Sequence, residues 1–179
     1  KMLDVNKAQV DALNVFPVPD GDTGTNMSLT LNSAIKEINM ASSNSMEDIT
    51  NALSKGALKG ARGNSGVILS QILKGVATTI GGSETIDAKL FAKGLKAGVE
   101  IAYGAVVKPK EGTILTVARV TAEYAVTVAK KSVSIITFFE TLISKSEELL
   151  AQTPEMLDVL KKAGVVDSGG YGFVCILKG

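Results

Sequence analysis

Apolar positions along the 179-residue chain recur at intervals of three and four. Met27, Leu31, Ile35 and Ile38 form one stripe, and Leu69, Ile72, Leu73, Val76 and Ile80 form a second. Ile135, Phe138, Phe139, Leu142, Ile143, Leu149 and Leu150 form a third. This spacing lines apolar side chains along one face of an α-helix, and no segment alternates over a strand-like length. Polar start signals agree. Ser45 precedes Met46-Glu47-Asp48, an N-cap followed by acids, and Thr153-Pro154-Glu155 offers a cap, a proline at the first helical position and an acid. Thr85 or Asp87 can cap a helix that must stop near Val107, because Lys108 precedes Pro109.

The pattern predicts helices over 4–13, 25–41, 46–61, 65–80, 87–107, 113–131, 134–151, 154–163 and 169–178. It is that of an all-α bundle with short connections, one domain over residues 1–179. Helix 113–131 is apolar on more than one face and should be central. Gly56/Gly60 and Gly94/Gly98, each pair four apart, predict close helix–helix approach. The chain starts at Lys1 and ends in an apolar run, Phe173-Val174-Cys175-Ile176-Leu177, so it reads as a piece cut from a longer protein.

Composition narrows the chemistry mainly through what is missing. There is no His, which removes Ser-His-Asp triads, His-ligated zinc and His general bases. There is no Trp, and aromatics are 4%, so stacking platforms for single-stranded nucleic acid are not expected. Lys plus Arg is 19 and Asp plus Glu is 18, a net charge of +1 that gives no bulk reason to bind nucleic acid or anionic membrane. The single Cys175 reads as a buried small hydrophobe, and a reduced, cytoplasmic setting fits. No stretch approaches the ~18 uncharged apolar residues of a membrane span.

Four polar, glycine-rich segments interrupt the helices, each where a helix should begin. In Asn14-Val15-Phe16-Pro17-Val18-Pro19-Asp20-Gly21-Asp22-Thr23-Gly24-Thr25-Asn26-Met27, two prolines force an extended run. Gly21 lets the flanking carboxylates of Asp20 and Asp22 converge, and hard oxygens of this kind suit Mg²⁺. Thr23, Gly24, Thr25 and Asn26 then supply hydroxyls, an amide and free N–H groups at a helix N-terminus, which favours an anion. The same residues also fit an ordinary Asx-turn and helix cap. The second segment is Gly60-Ala61-Arg62-Gly63-Asn64-Ser65-Gly66, where Arg62 can neutralise phosphate or serve a helix C-terminus. The third is Lys108-Pro109-Lys110-Glu111-Gly112-Thr113, and the fourth is Val165-Val166-Asp167-Ser168-Gly169-Gly170-Tyr171-Gly172. Neither a P-loop nor a G-x-G-x-x-G motif is present, so any phosphate site is built from several helix starts.

Together these segments, in this order, closely resemble the signatures of the dihydroxyacetone-kinase L-subunit-like family, and within it the ATP-binding domain of bacterial fatty acid kinases. The resemblance implies a barrel of about eight antiparallel helices, with ATP or ADP at one end and two Mg²⁺ ions between its phosphates and the acidic loop. It implies Asp20 and Asp22 as metal ligands, with Asn14 where the family has a third acid. It implies nucleotide contacts from Thr23, Gly24, Thr25, Asn26, Asn64, Ser65, Gly66, Gly112, Thr113, Asp167, Ser168 and Gly169; beside them Arg62 is a candidate to stabilise the transferring charge, with the helix C-terminus its alternative partner. It further implies a separate acyl-carrier protein that presents a fatty acid for conversion to acyl phosphate, for use in phospholipid synthesis. The remaining domains of the full-length chain would contribute, and a homodimer through regions outside this piece stays open. A dihydroxyacetone-type kinase subunit and a non-catalytic nucleotide-binding regulator are the alternatives. Ser65 and Ser168 should line one pocket although 103 positions (168 − 65) separate them.

Overall fold

The computed structural model describes residues 1–131 and 134–179. Among them are nine helices and no strand: α1 (Met2–Ala12), α2 (Thr23–Asn39), α3 (Met46–Gly60), α4 (Gly63–Ile80), α5 (Ala88–Gly104), α6 (Ile114–Ala129), α7 (Ile135–Met156), α8 (Asp158–Ala163) and α9 (Ser168–Lys178). Each helix from α1 to α7 packs on its successor, and α9 packs on α1, α2, α6 and α7, which closes the circuit. The protein is therefore the expected all-α bundle, with α8 a short connector.

Successive helices run antiparallel. Near the end of α3, Gly60 abuts Ser33 and Gly56 abuts Ala34, so α3 descends along α2. Gly98 of α5 lies against Ile72 and Gly75 of α4, while Gly94 lies against Val76. The paired glycines thus do what their spacing predicts: a Cβ at Gly56 would sit 2.7 Å from the Ala34 Cα, closer than real Cβ contacts allow. As a result α2, α4 and α6 begin at one end of the bundle, and α3, α5 and α7 begin at the other. Helix α7 returns the chain to the first end, the six-residue α8 turns there, and α9 starts beside α2, α4 and α6.

The core fills between these helices. Leu3 and Val10 of α1, Met27 of α2, Leu69 and Ile72 of α4, Leu95 and Val99 of α5, Leu115 and Val117 of α6, and Phe173 and Val174 of α9 form one buried cluster. Phe138 and Leu142 of α7 pack with Ala92, Ala125 and Val128 in a second, where Phe91, Phe138 and Phe139 make edge-on ring contacts at 4.9–6.2 Å. Helix α6 buries more than one face, including Leu115, Val117, Ala118, Thr121, Ala122 and Ala125, and is central as expected. Cys175 is buried.

Three local expectations are corrected. The apolar stripe of α2 is only partly its core face: Met27 is buried and Leu31 packs against the core, but Ile35 is 42% exposed, and Gly24, Thr30 and Ala34 are buried instead. Small residues win there because α3 approaches at backbone distance, so a branched side chain cannot fit between the helices. Thr153 does not start a new helix; α7 runs through Pro154 to Met156. The proline lacks the N–H that would serve the Leu150 carbonyl, and the Thr153 hydroxyl donates to that carbonyl instead, at 2.7 Å. Helix α5 ends at Gly104, three residues short of Val107. Asp87 is its cap, accepting from Leu90 N at 2.7 Å.

Replacing Gly98 by Ala places a methyl group against the Ile72 carbonyl, a backbone atom that cannot rotate away. Gly98→Ala is expected to lower the unfolding free energy by about 1–3 kcal/mol, as for overpacked cores. Urea unfolding followed by circular dichroism checks this, and an unchanged midpoint would show that α4 and α5 separate freely.

Candidate functional site

The end of the bundle where α2, α4, α6 and α9 begin encloses a cavity of about 780 Å³. All four glycine-rich segments reach it. Its lining includes Asn14, Asp20, Asp22 and Thr23 from the first segment, Asn64 and Ser65 from the second, Thr113 from the third, and Asp167, Ser168 and Gly169 from the fourth. Ser65 and Ser168 therefore share one pocket.

Thr23, the first residue of α2, ties the segments together. It is buried, and its hydroxyl donates to Asn14 Oδ1 at 2.6 Å while accepting from the Ser168 hydroxyl at 3.3 Å. Its carbonyl accepts from the Ser65 hydroxyl at 3.4 Å. Asn14, also buried, donates from Nδ2 to Val18 O at 2.8 Å and to Asp20 Oδ1 at 3.1 Å. Asn14 thus folds the proline-rich run over and orients Asp20. Its amide oxygen accepts from Thr23 and its amide nitrogen acts on a carboxylate. Gly21 has φ +65°, the left-handed conformation that lets the chain reverse between the two carboxylates.

Of the other residues expected at the site, several build the frame and do not line the cavity. Gly24 packs on Lys7 and Val10 of α1. Thr25 bonds to Asp11, and the Asn26 side chain packs on Gly63. Gly66 lies against Thr30, and Gly112 lies against Met156 and Leu157. Arg62 turns away: its Nη1 donates to Ala61 O at 2.8 Å and Lys59 O at 3.4 Å, the carbonyls that end α3. A cation there complements the negative end of the α3 dipole.

Both signs of charge line the cavity: Asp20, Asp22 and Asp167, and Lys108 and Lys110 from the α5–α6 connection. That connection is anchored through Glu111, which accepts from Thr116 Oγ1 at 2.8 Å and from Arg119 Nη2 at 2.9 Å. Burial pushes the Glu111 carboxyl up, but these hydrogen bonds outweigh it and hold the group below its usual range. Phe16, Val18, Val67, Val106 and Val107 give the same cavity an apolar wall. Asp11 has no sequence signal of its own, since it sits inside a helix; the two lysines lie in the third glycine-rich segment, where only Gly112 and Thr113 are expected at the site.

Asp167 braces the site. It caps α9 by accepting from Gly170 N at 2.7 Å, and its own N–H donates to Thr153 Oγ1 at 3.1 Å, joining α9 to the end of α7. Burial pushes its carboxyl up to about 6, against the Gly170 and Ile114 amides that favour the ionised form.

Asp20 and Asp22 are the residues suited to a hard divalent cation. Among the described residues no group of three or more His, Cys, Asp and Glu side chains forms a metal cage. Two carboxylates with open coordination positions fit Mg²⁺, which retains waters and takes phosphate oxygens, better than metals that need a full protein ligand set. No described helix is long and apolar enough to cross a membrane.

A bundle whose alternate helix starts surround one cavity lined by aspartates, hydroxyls and lysines defines a class of site. The DAK2 domain signature matches residues 17–179, and the chain belongs to this dihydroxyacetone-kinase L-subunit-like family, which is associated with kinase activity. It is 50% identical over 177 residues to the Bacillus subtilis (strain 168) protein YloV, covering 99% of this chain and 32% of that one. It is 51% identical over 174 residues to an uncharacterised protein of Staphylococcus aureus (strain bovine RF122 / ET3-1), covering 97% of this chain and 32% of that one. The chain thus spans about a third of the length of these relatives.

Because Asp167 holds its proton to higher pH when folded than the usual 3.8, the native state binds more protons than the unfolded chain between about pH 4 and 6. Its contribution to stability is complete below pH 4 and is lost as pH rises to about 6, by up to about 3 kcal/mol. Asp167→Asn keeps an acceptor for Gly170 N and removes the titration. Urea unfolding at pH 4, 5 and 6 should show the decline weakened in the variant, and equal slopes in both proteins would contradict the assignment.

Proposed function

We propose that the domain binds Mg·ATP in this cavity and is the phosphoryl-donor half of a kinase. The observation that carries the reading is the capping pattern of the six long helices α2 to α7. Ser45, Asp87 and Ser134 cap α3, α5 and α7 at the far end, each accepting from a first-turn amide. At the cavity, the N-cap residues Asp22, Arg62 and Thr113 make no side-chain cap hydrogen bond. Asp22 and Thr113 are of types that ordinarily cap, yet they face the cavity, and Arg62 has no acceptor. Three helix starts whose own N-cap residues do not cap converge on one space; Asp11 takes the Thr25 amide of α2 and Asp167 the Ile114 amide of α6, and the remaining first-turn N–H groups and dipoles favour an anion. Lys108 and Lys110 add positive charge, and Asp20 and Asp22 would hold the Mg²⁺ that accompanies a nucleotide. When bound, that cation supplies charge neutralisation at the phosphates. The apolar wall at Val106 and Val107 suits the base.

In the finer reading the acceptor is a fatty acid presented by a separate carrier protein, and the product is an acyl phosphate. A carboxylate acceptor is ionised near neutral pH and needs no general base, which agrees with a chain lacking His. The four segments account for a nucleotide and leave acceptor handling to other parts of the machinery. A hydroxyl acceptor, as in dihydroxyacetone kinases, is the second outcome the assay distinguishes.

Calorimetry with ADP and Mg²⁺ tests the donor half. Asp20→Ala and Asp22→Ala are each expected to weaken Mg²⁺-dependent ADP affinity by about tenfold or more, roughly 1.4 kcal/mol. Unchanged affinity in both would remove the acidic loop from the site.

ATP consumption with palmitate or oleate tests the acceptor half. The 179-residue chain alone should show little turnover, because nothing holds the acceptor within ~3–3.5 Å of the γ-phosphorus. Rapid acyl phosphate formation from free fatty acid by this chain alone would place the acyl site within these helices.

A further inference from the structure

Asp11 does not line the cavity, yet its carboxylate holds the first turn of α2. Oδ1 accepts from Thr25 N and Oδ2 accepts from Thr25 Oγ1, both at 2.9 Å. Thr25 is the third residue of α2, and its amide is one that the N-cap side chain usually takes. Elsewhere in this protein aspartate N-caps do so: Asp87 accepts from Leu90 N and Asp167 accepts from Gly170 N, each at 2.7 Å. Asp22 stands at the same position of α2 and makes no such bond. The cap of α2 comes instead from α1. Gly24 permits the exchange, since a Cβ there would lie 2.9 Å from Val10 Cβ and 3.1 Å from Asp11 Oδ1.

Thr25 N has one hydrogen to give, so capping by Asp11 and capping by Asp22 compete. With Asp11 in place, the Asp22 carboxylate is left facing the cavity. Without it, Asp22 is the nearest carboxylate suited to the exposed amide and would turn onto its own helix. We propose, resting on the Mg-nucleotide reading above, that Asp11 is a positioning residue: by capping α2 from the neighbouring helix it keeps Asp22 available to a divalent cation.

Two measurements on the 179-residue chain test this. The first is urea unfolding, without nucleotide or metal, of Asp11→Ala, Asp22→Ala and the double variant. Asp22→Ala alone should leave the midpoint nearly unchanged, because Asp22 caps nothing. On the Asp11→Ala background it should lower the midpoint clearly, because Asp22 has become the cap; such non-additivity is the mark of coupled groups. Equal effects of Asp22→Ala on both backgrounds would overturn the proposal. The second is titration with Mn²⁺ in the presence of ADP. Asp11→Ala should weaken Mn²⁺ binding about tenfold, while Asp11→Asn, whose amide oxygen still accepts from Thr25 N, should stay within about threefold of the unchanged chain. Unweakened Mn²⁺ binding in Asp11→Ala would refute the positioning role while leaving the nucleotide site standing. Failure of the unchanged chain to bind Mn²⁺ with ADP would bring down the site reading and this proposal with it, and it is told apart by appearing before any substitution.

Discussion

The geometry of the cavity depends on the hydrogen bonds made by one buried threonine. The Thr23 hydroxyl joins Asn14 to Ser168, and its carbonyl receives Ser65, so one residue fixes the acidic loop against the starts of α2, α4 and α9. A hydroxyl can donate once and accept as well, and Thr23 uses both capacities. Buried partners left without it would each cost on the order of 1–3 kcal/mol. Asn14 extends the network to Asp20, so the acidic loop is held by side chains that are themselves held. Such a chain of support favours a site that is formed before any ligand arrives.

The lysine-bearing connection is held differently. Lys108 and Lys110 lie on an exposed stretch, and their placement rests on Glu111, Thr116, Arg119 and Tyr103 behind them. Exposed ion pairs are individually weak, but Arg119 meets Glu111, Glu123 and Tyr103 together. The acidic loop is thus fixed through buried Thr23 and Asn14, and the lysine-bearing connection by a solvent-facing charged network that salt can loosen.

Most of the helices are legible in the sequence because their signals are local. The 3.6-residue period, the caps at Ser45 and Asp87 and the paired glycines at Gly56/Gly60 and Gly94/Gly98 all declare themselves within a few residues. The four glycine-rich segments likewise point to one end of the bundle, since antiparallel helices bring alternate starts together. What is not legible depends on distant partners. Ile35 fits a stripe but faces solvent, because the face of α2 is chosen by the glycines of α3. Thr153-Pro154 carries a start signal that is overridden when the threonine hydroxyl serves the orphaned carbonyl and also receives Asp167 N. Arg62 sits in a glycine-rich segment, yet only the structure shows it closing α3. Asp11 is one more acid within a helix until Thr25 is seen beside it.

The six-residue α8 has a topological consequence. In an up-and-down bundle every full-length helix exchanges top for bottom, so a site assembled from helix starts admits only helices that rise from the same floor. Helix α7 descends to that floor, and α8 is too short to climb away from it, so it preserves the parity of the count. Extending α8 to full length, or deleting a single long helix, would deliver Ser168 to the wrong end however well the core repacked. Loops in this architecture can vary in length at modest entropic cost. The number of long helices ahead of α9 can change only by two.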